Sequence, residues 1–380
     1  MEWLALDFGA MTSIEPNHSD PKASDPRAVD PNAVKMFGFT VWSYKMGEQV
    51  SLMIHLGDRL GFYRAMVGRG PMEAADLAAV TDCHERFVTE WLLGQAAAKL
   101  VDRHADGRFE LTDVQALVLA DEDGSVDFAA GAFRGGTDPA VLDRLVESFR
   151  TGLGLTYQDQ GPAAAAGLAR MTAPRSRLTL TSMILPGLDG VVAKLEAGAK
   201  VIDIGCGAGV TLATIAEAYP NTTCVGYDPS SAAIGLANAR AADLGLPNLE
   251  FVAAYAEDVP ADGSADLVLC FDCLHDMPRP DRAAAAIRAA IAPDGTWLIK
   301  DIRSTGDFEK DRRNPLLAMF YAFSVASCLQ SAMSEPDALG LGTLGLHPER
   351  ARELVTEAGF GSLTTHDFED AANLYYEVRV

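Results

Sequence analysis

Positive charge is scarce in this chain. Its 31 lysines and arginines stand against 53 aspartates and glutamates, a formal net charge of −22 over 380 residues. Nucleic-acid binding draws most of its affinity from cations that neutralise phosphates, so this balance disfavours DNA or RNA as a partner. It equally disfavours an anionic membrane surface. Paired-cysteine spacing is also scarce. The six cysteines, Cys83, Cys206, Cys224, Cys270, Cys273 and Cys328, are scattered along expected helices and strands, which fits reduced thiols in a cytoplasm. Cys270 and Cys273 form one C-x-x-C pair, but no second pair or histidine cluster accompanies it, and no metal site is expected. The opening stretch, MEWLALDFGAMTSIEP, has neither a basic run nor a long apolar one and predicts no secretory signal. Residues 314–333 are apolar but hold Asn314, Pro315, several serines and Gln330. They predict a buried or pocket-covering helix rather than a membrane span.

What is present is the composition of a folded chain, 48% hydrophobic and 22% charged, of a length that suggests two or three domains. Residues 1–34, rich in Pro, Asp, Ser and Asn after position 15, predict a flexible arm. Helical patterns follow at 44–55, 72–80 and 84–100. Short strands at 100–103 and 109–112 then flank an Ala105-Asp106-Gly107 turn. Three helices and a hairpin predict a winged helix over 35–120. A winged helix that reads DNA presents a basic third helix. This one carries Glu85, Arg86, Glu90 and Lys99, whose charges cancel. Its apolar face of Phe87, Trp91, Leu92 and Ala96 suits packing, so dimerisation is the expected role and a homodimer the expected assembly. Residues 121–175 are expected to form a helical connector, and 176–380 a second domain.

That second domain opens on Val-Ile-Asp-Ile-Gly-Cys-Gly-Ala-Gly at 201–209. Val201, Ile202 and Ile204 make a buried parallel strand, and Gly205, Gly207 and Gly209 a sharp turn into a helix at 210–219. A dinucleotide turn needs G-x-G-x-x-G, and the position of its last glycine holds Val210 or Leu212. The pattern is instead D-x-G-x-G-x-G, led by Asp203. A second strand at 223–227 ends in Asp228, the usual place for a carboxylate gripping ribose hydroxyls. Further strands are expected at 249–253, 265–271 and 295–302, with a helix at 281–291.

The 201–228 segment resembles motif I of the class I S-adenosylmethionine-dependent methyltransferases. The resemblance implies an α/β fold: a Rossmann-like doubly wound sheet behind an N-terminal, mainly helical winged-helix domain. It also implies S-adenosylmethionine as methyl donor and S-adenosylhomocysteine as product, bound by Asp203, Gly205, Cys206, Gly207, Gly209, Asp228, Pro229, Tyr255, Ala256, Glu257 and Phe271. Tyr255 stands where the family places an acid for the adenine. The domain order resembles small-molecule O-methyltransferases of plants and bacterial natural-product pathways. Segments 73–121 and 150–161 (RTGLGLTYQDQG) look like a bacterial subgroup labelled either methyltransferase or regulator. FDCLHDMPRPD at 271–281 looks like the plant His-Asp-Trp segment, with Met277 in place of the tryptophan. Carried over, His275 is the general base, and Asp276 orients it or binds substrate.

Acceptor-binding residues are expected from Phe149, Arg150 and Tyr157, from Met319, Phe320 and Phe323, and from His366, Asn373 and Tyr375. The expected function is methyl transfer to a small-molecule hydroxyl. The alternatives are an N- or C-methyltransferase and a DNA-binding regulator with a methyltransferase-like effector domain. No Asn/Asp-Pro-Pro-aromatic motif of base methyltransferases follows the fourth strand of the domain, where Phe271-Asp272-Cys273-Leu274 stands.

Overall fold

A capped proline opens the first helix. Asp30 accepts the Asn32 N–H at 2.9 Å, and Pro31 takes the first helical position, where its missing N–H costs nothing. The structure, a computed structural model, describes residues 29–380. Residues 1–28 of the expected arm lie outside the described residues. Residues 31–34, expected to belong to it, are instead the first turn of α1 (Pro31–Arg59). The chain divides into two units, Met1–Gln49 and Val50–Val380.

In the larger unit, α2 (Phe62–Met66), α3 (Ala74–Val80) and α4 (Glu85–Ala97) precede a hairpin of β1 (Asp102–Arg103) and β2 (Phe109–Glu110), closed by α5 (Asp113–Leu119). A reciprocal capping pair of Thr112 and Gln115 starts α5. Phe62, Tyr63, Met66, Leu77, Val88 and Phe109 form the core of this part. Trp91 and Leu92, expected on a docking face, are buried in that same core, whereas Phe87 is 78% exposed.

A helical segment follows: α6 (Pro139–Thr151), α7 (Tyr157–Gln160), α8 (Pro162–Thr179) and α9 (Val191–Ala197). Helix α8 holds Pro174 in its interior and passes into a π-helical turn, Leu180–Ile184. Ion pairs tie α8 to the front part. Arg170 grips the buried Asp58 of α1 at 2.6 and 3.1 Å and Glu122 at 2.6 Å.

The sheet alternates with helices: β3 (Lys200–Ile204), α10 (Val210–Ala218), β4 (Thr223–Asp228), α11 (Ser231–Leu244), β5 (Leu249–Ala253), β6 (Ala265–Phe271), α12 (Pro280–Ala290) and β7 (Ile291–Ile302). Beyond them come α13 (Phe308–Asp311), α14 (Leu317–Phe323), α15 (Leu329–Ala332), α16 (Pro348–Glu357), β8 (Ser362–His366) and β9 (Asn373–Arg379). Strand order is β5-β4-β3-β6-β7-β9-β8. The first five strands are parallel, and β9 is antiparallel to both β7 and β8. Both faces are covered: Ile202, Val268 and Ile299 point into one apolar layer, and Val201, Leu267 and Leu298 into the other. This explains the continuous apolar runs in the parallel strands.

The expected helix at 314–333 is broken into α14, a π-helical turn at Ser324–Cys328, and α15. Among the described residues no single helix is long and apolar enough to cross a membrane.

Candidate functional site

Strand order reverses direction at β3. The next strand in sequence, β4, lies on one side of it, and β6 lies on the other. Ligands of open α/β sheets bind beyond the carboxyl ends of the strands at such a switch point. A cavity of about 470 Å³ opens there, lined by the 203–208 turn, the ends of β4, β6 and β7, and the inner side of α8.

The turn is fixed from behind. The N–H groups of Gly205 and Cys206 donate to the Tyr227 carbonyl at 2.8 and 3.1 Å. Gly207 lies at φ 53° with open space where a side chain would stand, so its backbone is bare toward the cavity. Gly209, at φ 74°, is different. A Cβ there would drive into the Phe251 ring, so this glycine packs the turn and does not line the cavity.

Two acids flank the turn. Asp228 ends β4; its Oδ2 accepts the Gly207 N–H at 2.9 Å and its Oδ1 the Ser230 N–H at 2.8 Å. Burial pushes its pKa up, against those two hydrogen bonds. Asp203 is 2% exposed and lines the cavity, yet no described residue donates a hydrogen bond to its carboxylate. Burial, and then the Asp228 charge, hold its pKa well above the usual range. A buried acid without a donor is a demand for a cationic or hydrogen-bonding ligand. Pro229, half-exposed Tyr255, Ala256 and Glu257 continue the wall, and Cys206 and Phe271 complete it. Asp258 is exposed, does not line the cavity, and accepts the Tyr255 N–H at 3.1 Å.

At the other end stand Tyr157, Asp276 and Met277. The Tyr157 hydroxyl donates to Asp276 Oδ2 at 2.7 Å. Burial and the Asp276 charge raise the phenol's pKa well above its ordinary value. His275 does not occupy the place expected of a general base. It is 2% exposed and absent from the cavity wall. Its Nδ1 is 2.7 Å from Asp301 Oδ1, and its Nε2 is 3.2 Å from Asp276 Oδ1. Burial alone lowers its pKa, but the Asp301 and Asp276 carboxylates outweigh that and hold it well above the ordinary value. Both ring nitrogens thus face buried carboxylates rather than the cavity.

Four expected acceptor residues also stand elsewhere. Phe149 is 75% exposed on α6, Met319 and Phe323 are half-exposed on α14, and Phe320 is buried; none lines the cavity. Arg150 pairs with Glu147, His366 with Glu377, and Tyr375 donates to Asp370. Asn373 acts indirectly, donating to Asp272 Oδ1 at 2.6 Å.

Three participants were not expected. Asp301, on β7, orients His275. Lys300, its neighbour, is buried in the cavity wall, where it pairs with Asp272 and lies 5.6 Å over the Phe271 ring. Helix α8 supplies Leu168, Ala169, Thr172 and Ser176. The signal for Lys300 and Asp301 was their place at a strand's carboxyl end; the signal for α8 was weak, because its alanines carry no chemistry.

Residues 195–346 match the family described as methyltransferase domain, and residues 48–120 the Rv2258c-like winged HTH domain. A ubiquinone biosynthesis O-methyltransferase of Cupriavidus pinatubonensis is 32% identical over 124 residues, 32% of this chain and 48% of that protein. The sterol 4-C-methyltransferase strm-1 of Caenorhabditis elegans is 30% identical over 127 residues, 32% of this chain and 37% of that protein. The chain thus spans half or less of these curated relatives. Human N-acetylserotonin methyltransferase, solved with S-adenosylmethionine, has the same fold at 17% identity, with a TM-score of 0.65 and coverage of 93% of this chain and 99% of that one. The mitomycin 7-O-methyltransferase MmcR shares it at 20% identity, with a TM-score of 0.65 and coverage of 92% and 99%.

Proposed function

We propose that this chain, a winged-helix domain of the Rv2258c-like type joined to a methyltransferase domain, transfers a methyl group from S-adenosylmethionine to a hydroxyl oxygen of a small molecule. The observation that carries the reading is the pair of acids around a bare glycine. Asp203 offers a buried, unpartnered carboxylate to the donor's ammonium group, and Asp228 is aimed by two N–H groups to hold ribose hydroxyls. An acid at 203, before a turn that lacks the last glycine of G-x-G-x-x-G, disfavours a pyrophosphate and argues against a dinucleotide. Tyr255, Ala256 and Glu257 form the adenine wall. The bound donor supplies a methyl group already activated by a sulfonium, so the protein's task is in-line positioning and exclusion of water.

Leu168, Ala169, Met277 and Pro278 give the acceptor end an apolar surface suited to an aromatic or otherwise apolar molecule. Oxygen as the receiving atom is favoured by the O-methyltransferases among the relatives. The winged helix serves dimerisation in this reading, supported by exposed Phe37, Trp42 and Tyr44 on α1 and Phe87 on α4. The net charge of −22 weighs against the DNA-binding alternative. Free thiols at all six cysteines support a cytoplasmic location.

The test is incubation of the purified chain with methyl-labelled S-adenosylmethionine and a metabolite extract. Label in a small molecule with an O-methyl group supports the proposal. Label on nitrogen or carbon changes the acceptor class. No labelled product, with tight sequence-selective DNA binding at about 0.15 M salt, replaces it with the regulator.

A further inference from the structure

The withdrawal of His275 from the cavity leaves the acceptor's proton without a receiver, and the residues around it supply one. We propose that Asp276 takes that proton, held on one side by the His275 ring and on the other by the Tyr157 hydroxyl. The inference rests on the methyl-transfer reading above and assigns a residue role within it.

The geometry assigns a different task to each member of the chain. Asp301 is completely buried on β7, and its Oδ1 faces His275 Nδ1 at 2.7 Å while accepting the Ile302 N–H at 2.8 Å. It fixes the ring. His275 then turns Nε2 toward Asp276 Oδ1 at 3.2 Å, a charge contact without an aligned hydrogen bond. Asp276 Oδ1 is sealed from solvent, so Asp276 meets the cavity through Oδ2. That oxygen already accepts Tyr157 at 2.7 Å and has lone-pair capacity left for a second donor.

Tyr157 belongs to the 150–161 segment singled out in the sequence, and the structure gives that segment a purpose. Gln158 accepts the Ser231 N–H at the start of α11 at 3.0 Å, and Gln160 accepts the Ser327 hydroxyl at 2.8 Å. Helix α7 is thereby anchored both at the start of α11 and at the π-helical turn, with Tyr157 immediately before the first anchor.

A carboxylate is basic enough for the step. The acceptor oxygen's lone pair forms the new C–O bond as the C–S bond breaks, its electron pair staying on sulfur, and the acceptor's O–H proton passes to Asp276 Oδ2. As the oxygen gives up electron density its proton becomes strongly acidic, so no base as strong as free imidazole is needed.

The groups facing His275 are Asp276, Asp301 and Cys328, with Tyr157, Asp272 and Tyr376 behind those acids. All of these are acidic; the cations behind them are Lys300, paired with Asp272, and Arg303, near Tyr376. A histidine base makes the rate climb as pH rises through the ordinary imidazole range. The present assignment makes it level through neutrality and falling in alkali, as His275 loses its proton.

Nitrogen-15 histidine NMR on the full-length, ligand-free chain tests the arrangement without any acceptor. His275, assigned as the ring perturbed in Asp276→Asn, is expected to carry protons on both nitrogens throughout the neutral range. A neutral ring overturns the proposal. In methyl transfer to the metabolite extract, Asp276→Asn is expected to lose about 10²–10⁴-fold while still binding S-adenosylmethionine in calorimetry. A near-normal rate in that variant, or a wild-type rate climbing with pH through the imidazole range, also overturns it. Failure of the wild type to bind S-adenosylmethionine would instead remove the methyl-transfer reading, and the NMR result would still report the state of His275.

Discussion

The two ends of the cavity are built in opposite ways. The donor end comes mostly from one stretch of sequence: β3, the glycine turn, α10 and β4 place Asp203, Gly207 and Asp228 within 26 positions. The acceptor end joins Tyr157 of α7, Asp276 after β6 and Asp301 of β7, with α8 as its wall. A site made from neighbours in sequence reads as a motif, whereas a site made by folding distant segments together shows only its separate pieces.

The difference has consequences that mutation can probe. The largest expected effect is at the hidden glycine of the donor end. Gly209→Val adds strain at φ 74° and a clash with Phe251, and is expected to cost about 2–5 kcal/mol of stability in denaturant unfolding. Unchanged stability would mean that the turn is softer than its packing implies. Next comes the wall of the acceptor end. Arg170→Ala leaves buried Asp58 with only Arg64, at 3.2 Å. Because Arg170 is about one-third exposed, the expected loss is about 2–3 kcal/mol, below that of a fully buried pair. If melting is unaffected, the front helices do not brace α8.

Smaller effects belong to ligand binding. Asp228→Ala is expected to weaken S-adenosylmethionine by about tenfold or more, near 1.4 kcal/mol, with the circular dichroism spectrum unchanged. Equal calorimetric affinity would remove the ribose assignment. The mildest is a pH effect at Asp203. Its folded pKa is raised, so in the free chain its ionisation costs stability as pH rises from the ordinary carboxylate range through the raised value. Capturing an ammonium group requires the ionised form, so donor affinity is expected to fall as pH drops through that raised value. Asp203→Asn is expected to flatten the slope; a slope that persists in the variant would locate the proton elsewhere.

Legibility follows the same division. The bounds of β5 and β6 match expectation residue for residue, because apolar runs between turn signals define buried strands. The glycines and both flanking acids were readable because each does a local job. The environment of His275 was not, since His275 lies in the turn after β6, Asp301 lies 26 residues on in β7, and only folding makes them partners. Phe149, Met319, Phe320 and Phe323 failed as cavity residues for the same reason: aromatic and sulfur side chains mark apolar surface without telling which surface they meet. The break of 314–333 into two helices around a π-helical turn left no trace in its hydrophobicity.

The central claim is that the glycine turn with its two acids accepts an adenosyl sulfonium and refuses a nicotinamide dinucleotide. Parallel calorimetric titration of the purified chain with S-adenosylmethionine and with NAD tests it most directly. The account predicts saturable heat with S-adenosylmethionine and none with NAD; saturable heat with NAD and none with S-adenosylmethionine would contradict it.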